Sequence, residues 1–378
     1  MSLRRFGRIT AALAATTLTV GALGACSAER AGGAEETSDG GSETTMVGIA
    51  MPTRSLERWN NDGSHLEELL GDAGYETSLQ YADNKVDQQI TQIQNMVNEG
   101  ADILVVASID GTALAPVLQD AADEDVTVIA YDRLINESEN VDYYATFDNE
   151  LVGTLQGEYI VDQLGLDDGE KGPFTLEPFA GSPDDNNAKF FFKGAWDVLS
   201  PYVEDGVLEV PSGKAPATVD EWTSIGIQGW ESAKAQSEME NRLNSFYEGD
   251  DKVDVVLSPN DSLALGIEQA LEGAGYEPGK DWPIITGQDA DEANVKNMLA
   301  DKQSMTVWKD TRTLGDQVAT MVDQIVAGEE VEVNDTETYD NGMKVVPSYL
   351  LEPQVVTKDD VEDVLVGSGF YEASDLGL

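Results

Sequence analysis

Residues 101–133 form a complete strand–helix–strand unit, and this unit constrains the fold more than any other part of the chain. Two short apolar runs, 103–107 and 126–130, are typical of parallel strands that are buried on both faces. Between them, residues 112–122 carry apolar side chains at helical spacing, which predicts one helix covering one face of a sheet. The unit therefore favours an open parallel α/β sheet.

A charged pair, Asp132 and Arg133, follows the second of these strands directly. In open α/β sheets, ligands bind beyond the carboxyl ends of the strands. A carboxylate beside a guanidinium offers both acceptors and donors, which a polyhydroxy molecule requires. The alternative interpretation is a surface ion pair with no binding role.

The same alternation continues along the chain and then repeats. Residues 253–290 mirror the first unit, with a strand, an Asp-containing loop, an apolar-striped helix and a second strand that ends at Asp289. We therefore predict an α/β fold of two doubly wound parallel-sheet lobes, with a cleft between them and a three-segment hinge. The predicted division assigns residues 46–147 and 309–345 to lobe 1, and 148–308 and 346–378 to lobe 2.

The charge balance limits the partners of this chain. Asp plus Glu total 72 against 22 Lys plus Arg, so the formal net charge is −50. Such a charge argues against binding nucleic acid or an anionic lipid surface through the protein face. Because the carboxylates are dispersed along the sequence, we interpret them as a solvated acidic coat.

The N-terminus has the layout of an export signal. Arg4, Arg5 and Arg8 precede an apolar run at 9–23 that is short for a membrane span. The sequence LGAC ends in Cys26, the single cysteine, and resembles the bacterial lipoprotein box, although an ordinary signal peptide is the alternative. We predict a signal peptide at 1–25, lipidation of Cys26, and a flexible tether over 26–45. The protein would then be exported and anchored on the outer face of the cytoplasmic membrane.

No sequence pattern for covalent, metal or cofactor chemistry is present. His65 is the single histidine, Cys26 cannot form a disulfide within the chain, and no phosphate-binding loop follows a strand. Asp184 and Asp185 resemble a glycosidase acid–base pair only in being adjacent carboxylates. We therefore predict a protein that is not an enzyme and has neither cofactor nor metal.

Several spaced motifs carry a family resemblance: YDRL, FDN, GSPDDNNA, PND, GQDA, VWKDTR and NGMKVVPSYLL. With these motifs in this order, the chain resembles the periplasmic monosaccharide-binding proteins of sugar ABC importers, in the branch of the xylose-binding and multiple-sugar-binding proteins. The resemblance implies a type I binding-protein fold and a monomer. It also implies an aldopyranose ligand of the xylose, glucose, galactose or arabinose type, and delivery to a membrane permease with its ATPase.

The resemblance also implies a set of sugar-binding residues, which agrees with sugar chemistry. Aromatic planes suit the C–H faces of a ring, and planar charged or amide groups suit its hydroxyls. The alternative for Trp59 and Trp230 is a plain core position, and the alternative for Asp289 is a structural cap. We expect the side chains of Asp261 and Gln288 to point elsewhere. The implied residues are Arg58, Trp59, Asp132, Arg133, Asp185, Asn187, Trp230, Asn260, Asp289 and Lys309.

Two other functions are alternatives to transport. A transcriptional regulator whose effector domain shares this fold would need a basic DNA-binding headpiece before Met46, where this chain has the predicted signal and an acidic segment. A sugar sensor that presents its closed lobes to a chemotaxis or two-component receptor differs from a transport protein only in its partner, and the sequence leaves that role open.

Overall fold

The computed structural model describes residues 44–249 and 251–378. The strands are β1 Met46–Met51, β2 Glu76–Tyr81, β3 Ile103–Val106, β4 Thr127–Tyr131, β5 Tyr143–Phe147, β6 Phe174–Pro178, β7 Leu208–Glu209, β8 Val255–Leu257, β9 Ile284–Ile285, β10 Met305–Trp308, β11 Ser348–Leu351 and β12 Gln354–Thr357. The α-helices are α1 Glu57–Asp72, α2 Val86–Glu99, α3 Ala115–Asp123, α4 Asn149–Gln163, α5 Asn186–Glu204, α6 Ser232–Phe246, α7 Asp261–Gly273, α8 Glu292–Leu299, α9 Thr311–Ala327 and α10 Ala373–Leu376. Shorter helical turns lie at Val219–Ile225, Gln228–Trp230 and Val361–Val366.

The first lobe is built on a parallel sheet with the strand order β11–β5–β4–β3–β1–β2. Every residue of β3 is buried, as its uninterrupted apolar sequence predicts for a strand covered on both faces. Helices α2 and α3 pack on one face of the sheet, and α1 and α9 contribute to the core on the other. The predicted doubly wound sheet is thus confirmed for this lobe.

The second lobe repeats the arrangement with the parallel order β7–β6–β8–β9. A bridge between Gln288 and Val307 places β10 beside the end of β9, and β12 pairs antiparallel with β10. Its main core combines these strands with α4, α5, α6 and α7. The two lobes therefore have separate sheets and separate cores, as predicted.

The chain passes between the lobes at three places, as the predicted three-segment hinge requires. The passages run from β5 to α4, from β10 to α9, and from β11 to β12. The predicted start of the last lobe 2 segment at residue 346 is wrong, because β11 pairs in parallel with β5 of the first lobe. The apolar run before Pro353 completes the edge of the first sheet, and the chain crosses only at 352–353.

Glycines let α4 and α5 approach closely in the second lobe. A Cβ at Gly153 would lie 1.8 Å from the carbonyl oxygen of Phe191, and a Cβ at Gly194 would lie 2.0 Å from that of Glu150. Both distances are shorter than any real Cβ contact, so both positions require glycine. The contact holds α5, whose first turn carries Asn187, closely against α4.

Helix α1 begins earlier than the sequence predicts. Its run of Asn60, Asn61, Asp62 and Gly63 favours a loop, and we expected the helix near residues 65–73. The structure extends the helix back to Glu57, and Trp59 and Leu66 pack into the core of the first lobe. Tertiary packing thus overrides local propensity, and Arg58 and Trp59 lie on a helix rather than in a loop.

Among residues 44–249 and 251–378, no helix is both long enough and apolar enough to cross a membrane. The predicted signal peptide, Cys26 and nearly all of the tether lie outside the residues that the structure describes.

Candidate functional site

The predicted site residues come from both lobes and lie where strands end or helices begin. Asp132 and Arg133 follow β4, Asp289 lies beyond β9, and Lys309 follows β10. The other positions are Arg58 and Trp59 in the first turn of α1, Asp185 and Asn187 at the start of α5, Trp230 at the end of a 3-10 turn, and Asn260 as the N-cap of α7. The carboxyl edges of the two parallel sheets therefore face one another across the site.

All ten predicted residues line one cleft. Nine of them are buried, and the Asp289 side chain is 9% exposed. Buried charged groups are rare unless they are paired or bound, so a cleft lined with so many of them marks a polar binding site rather than a core.

Two cations and two carboxylates from both lobes meet in the cleft. Arg58 Nη2 lies 3.0 Å from Asp132 Oδ1, and Arg58 Nη1 lies 3.5 Å from Asp289 Oδ1. Lys309 Nζ lies 3.0 Å from the same Asp289 oxygen and 4.0 Å from Asp132 Oδ1. The cluster thus presents acceptors and donors side by side.

A second set of contacts joins the lobes directly, and we call these the interlobe bonds. Arg133 Nε of the first lobe lies 2.9 Å from Asp185 Oδ2 of the second. Asn187 Nδ2 donates to the carbonyl oxygen of Asp132 at 2.6 Å. The Tyr144 hydroxyl lies 2.7 Å from that carbonyl and 3.0 Å from Asn187 Oδ1. Side chains that line the cleft therefore also hold the two lobes together.

The electrostatic environment keeps Asp132 ionised. Burial favours the neutral acid, but Arg58, Lys309 and Arg133 together hold the pKa of Asp132 below its usual value. Burial would also lower the pKa of Arg58, yet the neighbouring carboxylates, Asp132 foremost, raise it well above its usual value. Across the cleft, burial raises the pKa of Asp185 in spite of its Arg133 partner. An ionised carboxylate such as Asp132 can only accept hydrogen bonds.

The two tryptophans have different surroundings. Trp230 Nε1 donates to Asp185 Oδ2 at 3.1 Å, and its ring covers Gly181, where a Cβ would lie 2.0 Å from Cη2. The guanidinium of Arg58 lies 4.3 Å from the centroid of the Trp59 ring. Both rings line the cleft and give it apolar walls.

The backbone is strained at three cleft residues. Asp132, Trp230 and Asp289 have φ angles of +59°, +55° and +98°, in the region that non-glycine residues seldom adopt. Such conformations each cost on the order of 1–3 kcal/mol and are concentrated at functional sites. Here they turn three side chains away from their strands or turns and into the cleft.

Several buried polar atoms of the cleft make no hydrogen bond within the described protein. They include Trp59 Nε1, Asp132 Oδ1, Arg133 Nε and Asp289 Oδ1, although the last three lie near charged partners. An unbonded buried polar atom costs about 1–3 kcal/mol. The cleft therefore offers donors and acceptors that a polar ligand can satisfy.

Three lining residues were not among the predicted set: Leu56, Phe191 and Gln288. Gln288, whose side chain we expect to point elsewhere, lines the cleft while its Nε2 donates to the Pro259 carbonyl at 3.2 Å. Phe191 lies in the run FFF of α5, which has no feature distinguishing it from a core helix. Asp261 does point away, toward Gln303 and Thr306 inside the second lobe.

The comparisons with known proteins agree with this architecture. Residues 47–330 match the family described as periplasmic binding protein domain. The chain belongs to the periplasmic binding protein family. The predicted resemblance is thereby confirmed.

Individual relatives span nearly the whole chain. It is 51% identical over 331 residues to the multiple sugar-binding periplasmic receptor ChvE of Rhizobium radiobacter, an alignment that covers 87% of this chain and 92% of the receptor. It is 37% identical to the D-xylose-binding periplasmic protein of Escherichia coli, with 87% of this chain and 92% of that protein covered.

A solved structure is also similar, that of an ABC transporter solute-binding protein from Clostridium phytofermentans with bound beta-D-glucose. Its TM-score is 0.84 at 52% identity, with 88% of this chain and 100% of that chain covered.

Within residues 44–249 and 251–378, no group of three or more His, Cys, Asp or Glu side chains has a geometry that could hold a metal ion.

Proposed function

We propose that this chain is the substrate-binding protein of an ABC transporter and captures an aldopyranose, of the xylose, glucose, galactose or arabinose type, between its lobes. The observation that carries this proposal is the polar cleft in which ten predicted residues from both lobes meet. The relatives named as sugar-binding receptors, and the glucose-bound structure, support the same ligand class.

The chemistry of the cleft suits a sugar ring. Asp132 and Asp289 supply acceptors, Arg58, Arg133 and Lys309 supply donors, and each polar atom can meet one hydroxyl group. The walls formed by Trp59 and Trp230 suit the C–H faces of a pyranose. No step of covalent chemistry is needed, so we propose a receptor that binds and releases its ligand unchanged.

The moving units are the two lobes, which we define as 46–147 with 309–351, and 148–308 with 352–378. A ligand that contacts both lobes favours the closed arrangement, since it binds that state more tightly than the open one. The closed monomer would then present both lobes to the transmembrane permease, whose ATPase drives uptake.

Isothermal titration calorimetry of the purified protein against a panel of pentoses and hexoses tests the proposal. We expect saturable binding of at least one aldopyranose, with a negative heat-capacity change if the tryptophan walls are covered. Heat from an amino acid or another non-sugar ligand, together with none from any pentose or hexose, would contradict it.

Anchoring is a separate prediction. If Cys26 is the lipidated first residue of the mature protein, Cys26→Ser should move the protein from the membrane fraction to the soluble or secreted fraction. Its sugar affinity should be unchanged, because every residue that lines the cleft lies at Leu56 or later in the chain. Metabolic fatty-acid labelling followed by fractionation compares the wild type with Cys26→Ser. A wild type that takes up no label would refute the lipid anchor.

A further inference from the structure

Asp62 is a fully buried carboxylate that neither belongs to the predicted site nor lines the cleft. It lies on α1, one helical turn after Arg58, so the two side chains share a face of the helix. A buried carboxylate is costly unless charged partners and hydrogen bonds compensate for its desolvation. The groups around Asp62 indicate what it does.

Asp62 binds one edge of the Arg58 guanidinium. Arg58 Nε and Nη2 both donate to Asp62 Oδ2, at 3.0 and 2.8 Å. The second carboxylate oxygen, Oδ1, accepts a hydrogen bond from the Tyr131 hydroxyl at 3.1 Å. Tyr131 is the last residue of β4 and immediately precedes Asp132, so the sheet edge holds Asp62 from the other side.

This arrangement limits which N–H groups of Arg58 are available to Asp132 and Asp289. Because Asp62 occupies the Nε–Nη2 edge, Arg58 cannot form a bidentate ion pair with Asp132 through that edge. It contacts Asp132 Oδ1 and Asp289 Oδ1 at 3.0 and 3.5 Å, and neither oxygen makes a hydrogen bond in the described protein. Asp289 Oδ1 also lies 3.0 Å from Lys309 Nζ, so these contacts use Oδ1 of each carboxylate and leave Oδ2 of each as an acceptor for a ligand.

We infer that Asp62, held by Tyr131, is a positioning residue that fixes Arg58 so that Asp132 and Asp289 keep free acceptor atoms for sugar hydroxyls. The inference rests on the proposed function and deepens it. Without Asp62, Arg58 can rotate its freed edge onto Asp132 and occupy the acceptors that the ligand needs. Supporting groups that hold a binding residue in one orientation control affinity without contacting the ligand.

The first test is Asp62→Asn, which keeps the shape of the side chain and removes its charge. We expect its affinity for the best sugar of the calorimetric panel to fall about tenfold at pH 7.5, the scale of a charged hydrogen bond. Glu68→Gln is the matched control, because it removes one carboxylate from an exposed position of the same helix and should bind like wild type.

A pH profile separates positioning from a general structural effect. Burial, partly opposed by Arg58, raises the pKa of Asp62 to about 6. Its charged and titratable neighbours are Arg58 on its own helix, Tyr131 and Asp132 at the end of β4, and Tyr81 on β2. Below pH 6 wild-type Asp62 takes up a proton and resembles the Asn variant. The affinity ratio of wild type to variant should therefore shrink from about tenfold at pH 7.5 toward one at pH 5.

Tyr131→Phe gives a second, independent measurement that does not require the Asn variant to fold. We expect a smaller loss of affinity from Tyr131→Phe alone and little further loss when it is added to Asp62→Asn, since Tyr131 acts through Asp62. If the wild type binds sugar and both single variants bind it with the same affinity, the inference is overturned but the proposed function is not. A wild type that binds no sugar would contradict the proposed function itself, and the inference with it.

Discussion

Asp132→Ala and Asp289→Ala should each weaken sugar binding by at least tenfold. Each carboxylate lies in the cleft beside Lys309 and Arg58 and carries an oxygen without a hydrogen bond in the described protein. Hydrogen bonds to charged groups contribute about 1.5–3 kcal/mol, and every 1.4 kcal/mol changes affinity about tenfold. Titration calorimetry against the preferred sugar measures the loss.

Asp110→Ala is the matched control for these variants. Asp110 lies in the loop after β3, at the same edge of the sheet as Asp132, but its carboxylate accepts only local hydrogen bonds from Thr112 and it does not line the cleft. It should bind sugar like wild type. If Asp132→Ala and Asp289→Ala bind as well as this control, the cleft between the strand ends is not the sugar site.

Arg242→Met should cost about 3–5 kcal/mol of unfolding free energy, the range for breaking a buried ion pair by removing one partner. Arg242 is 2% exposed, and its Nη1 donates to Glu177 Oε2 at 3.1 Å and to the Pro178 carbonyl at 2.8 Å. Glu177 is fully buried, so the substitution leaves a carboxylate in the second-lobe core without its cation. Urea denaturation followed by circular dichroism measures the change.

Two comparisons show whether the loss comes from the unpaired charge. Lys214→Met removes an exposed partner of Glu238 and should cost less than about 1 kcal/mol. Adding Glu177→Gln to Arg242→Met should recover part of the stability, because the buried charge is then removed as well. Sugar affinity of the folded Arg242→Met protein should be near that of wild type, since Arg242 is not among the cleft residues. Equal stability of Arg242→Met and Lys214→Met would contradict the prediction.

The sequence predicted the alternation of strands and helices because buried parallel strands have continuous apolar sequences, as in β3 and β4. It also predicted Asp132 and Asp289, since each stands where an apolar strand ends. Residues whose importance depends on distant partners were not predictable in this way. Asp62 lies in a polar run that is typical of a solvated loop, and only the approach of Tyr131 from β4 shows that it is buried.

The lobe boundary after residue 345 was missed for a related reason. An apolar segment such as Ser348–Leu351 predicts a strand, but it carries no information on which of two sheets it joins. Gln288 was not predicted to line the cleft, because the directions of adjacent polar residues at a strand end cannot be read from alternation once the backbone departs from extended geometry. The positive φ of Asp289 is such a departure.

The interlobe bonds have a consequence for how any measured dissociation constant should be interpreted. Arg133 with Asp185, and Asn187 with the Asp132 carbonyl, join the lobes through contacts between protein atoms alone. The observed constant is then the intrinsic constant of the closed form divided by the fraction of protein that is closed. A substitution that changes only this fraction multiplies the constants of all sugars by one common factor, whereas a lost hydroxyl contact changes their ratios. Selectivity among sugars and overall affinity can therefore evolve separately, through neighbouring side chains of the same cleft.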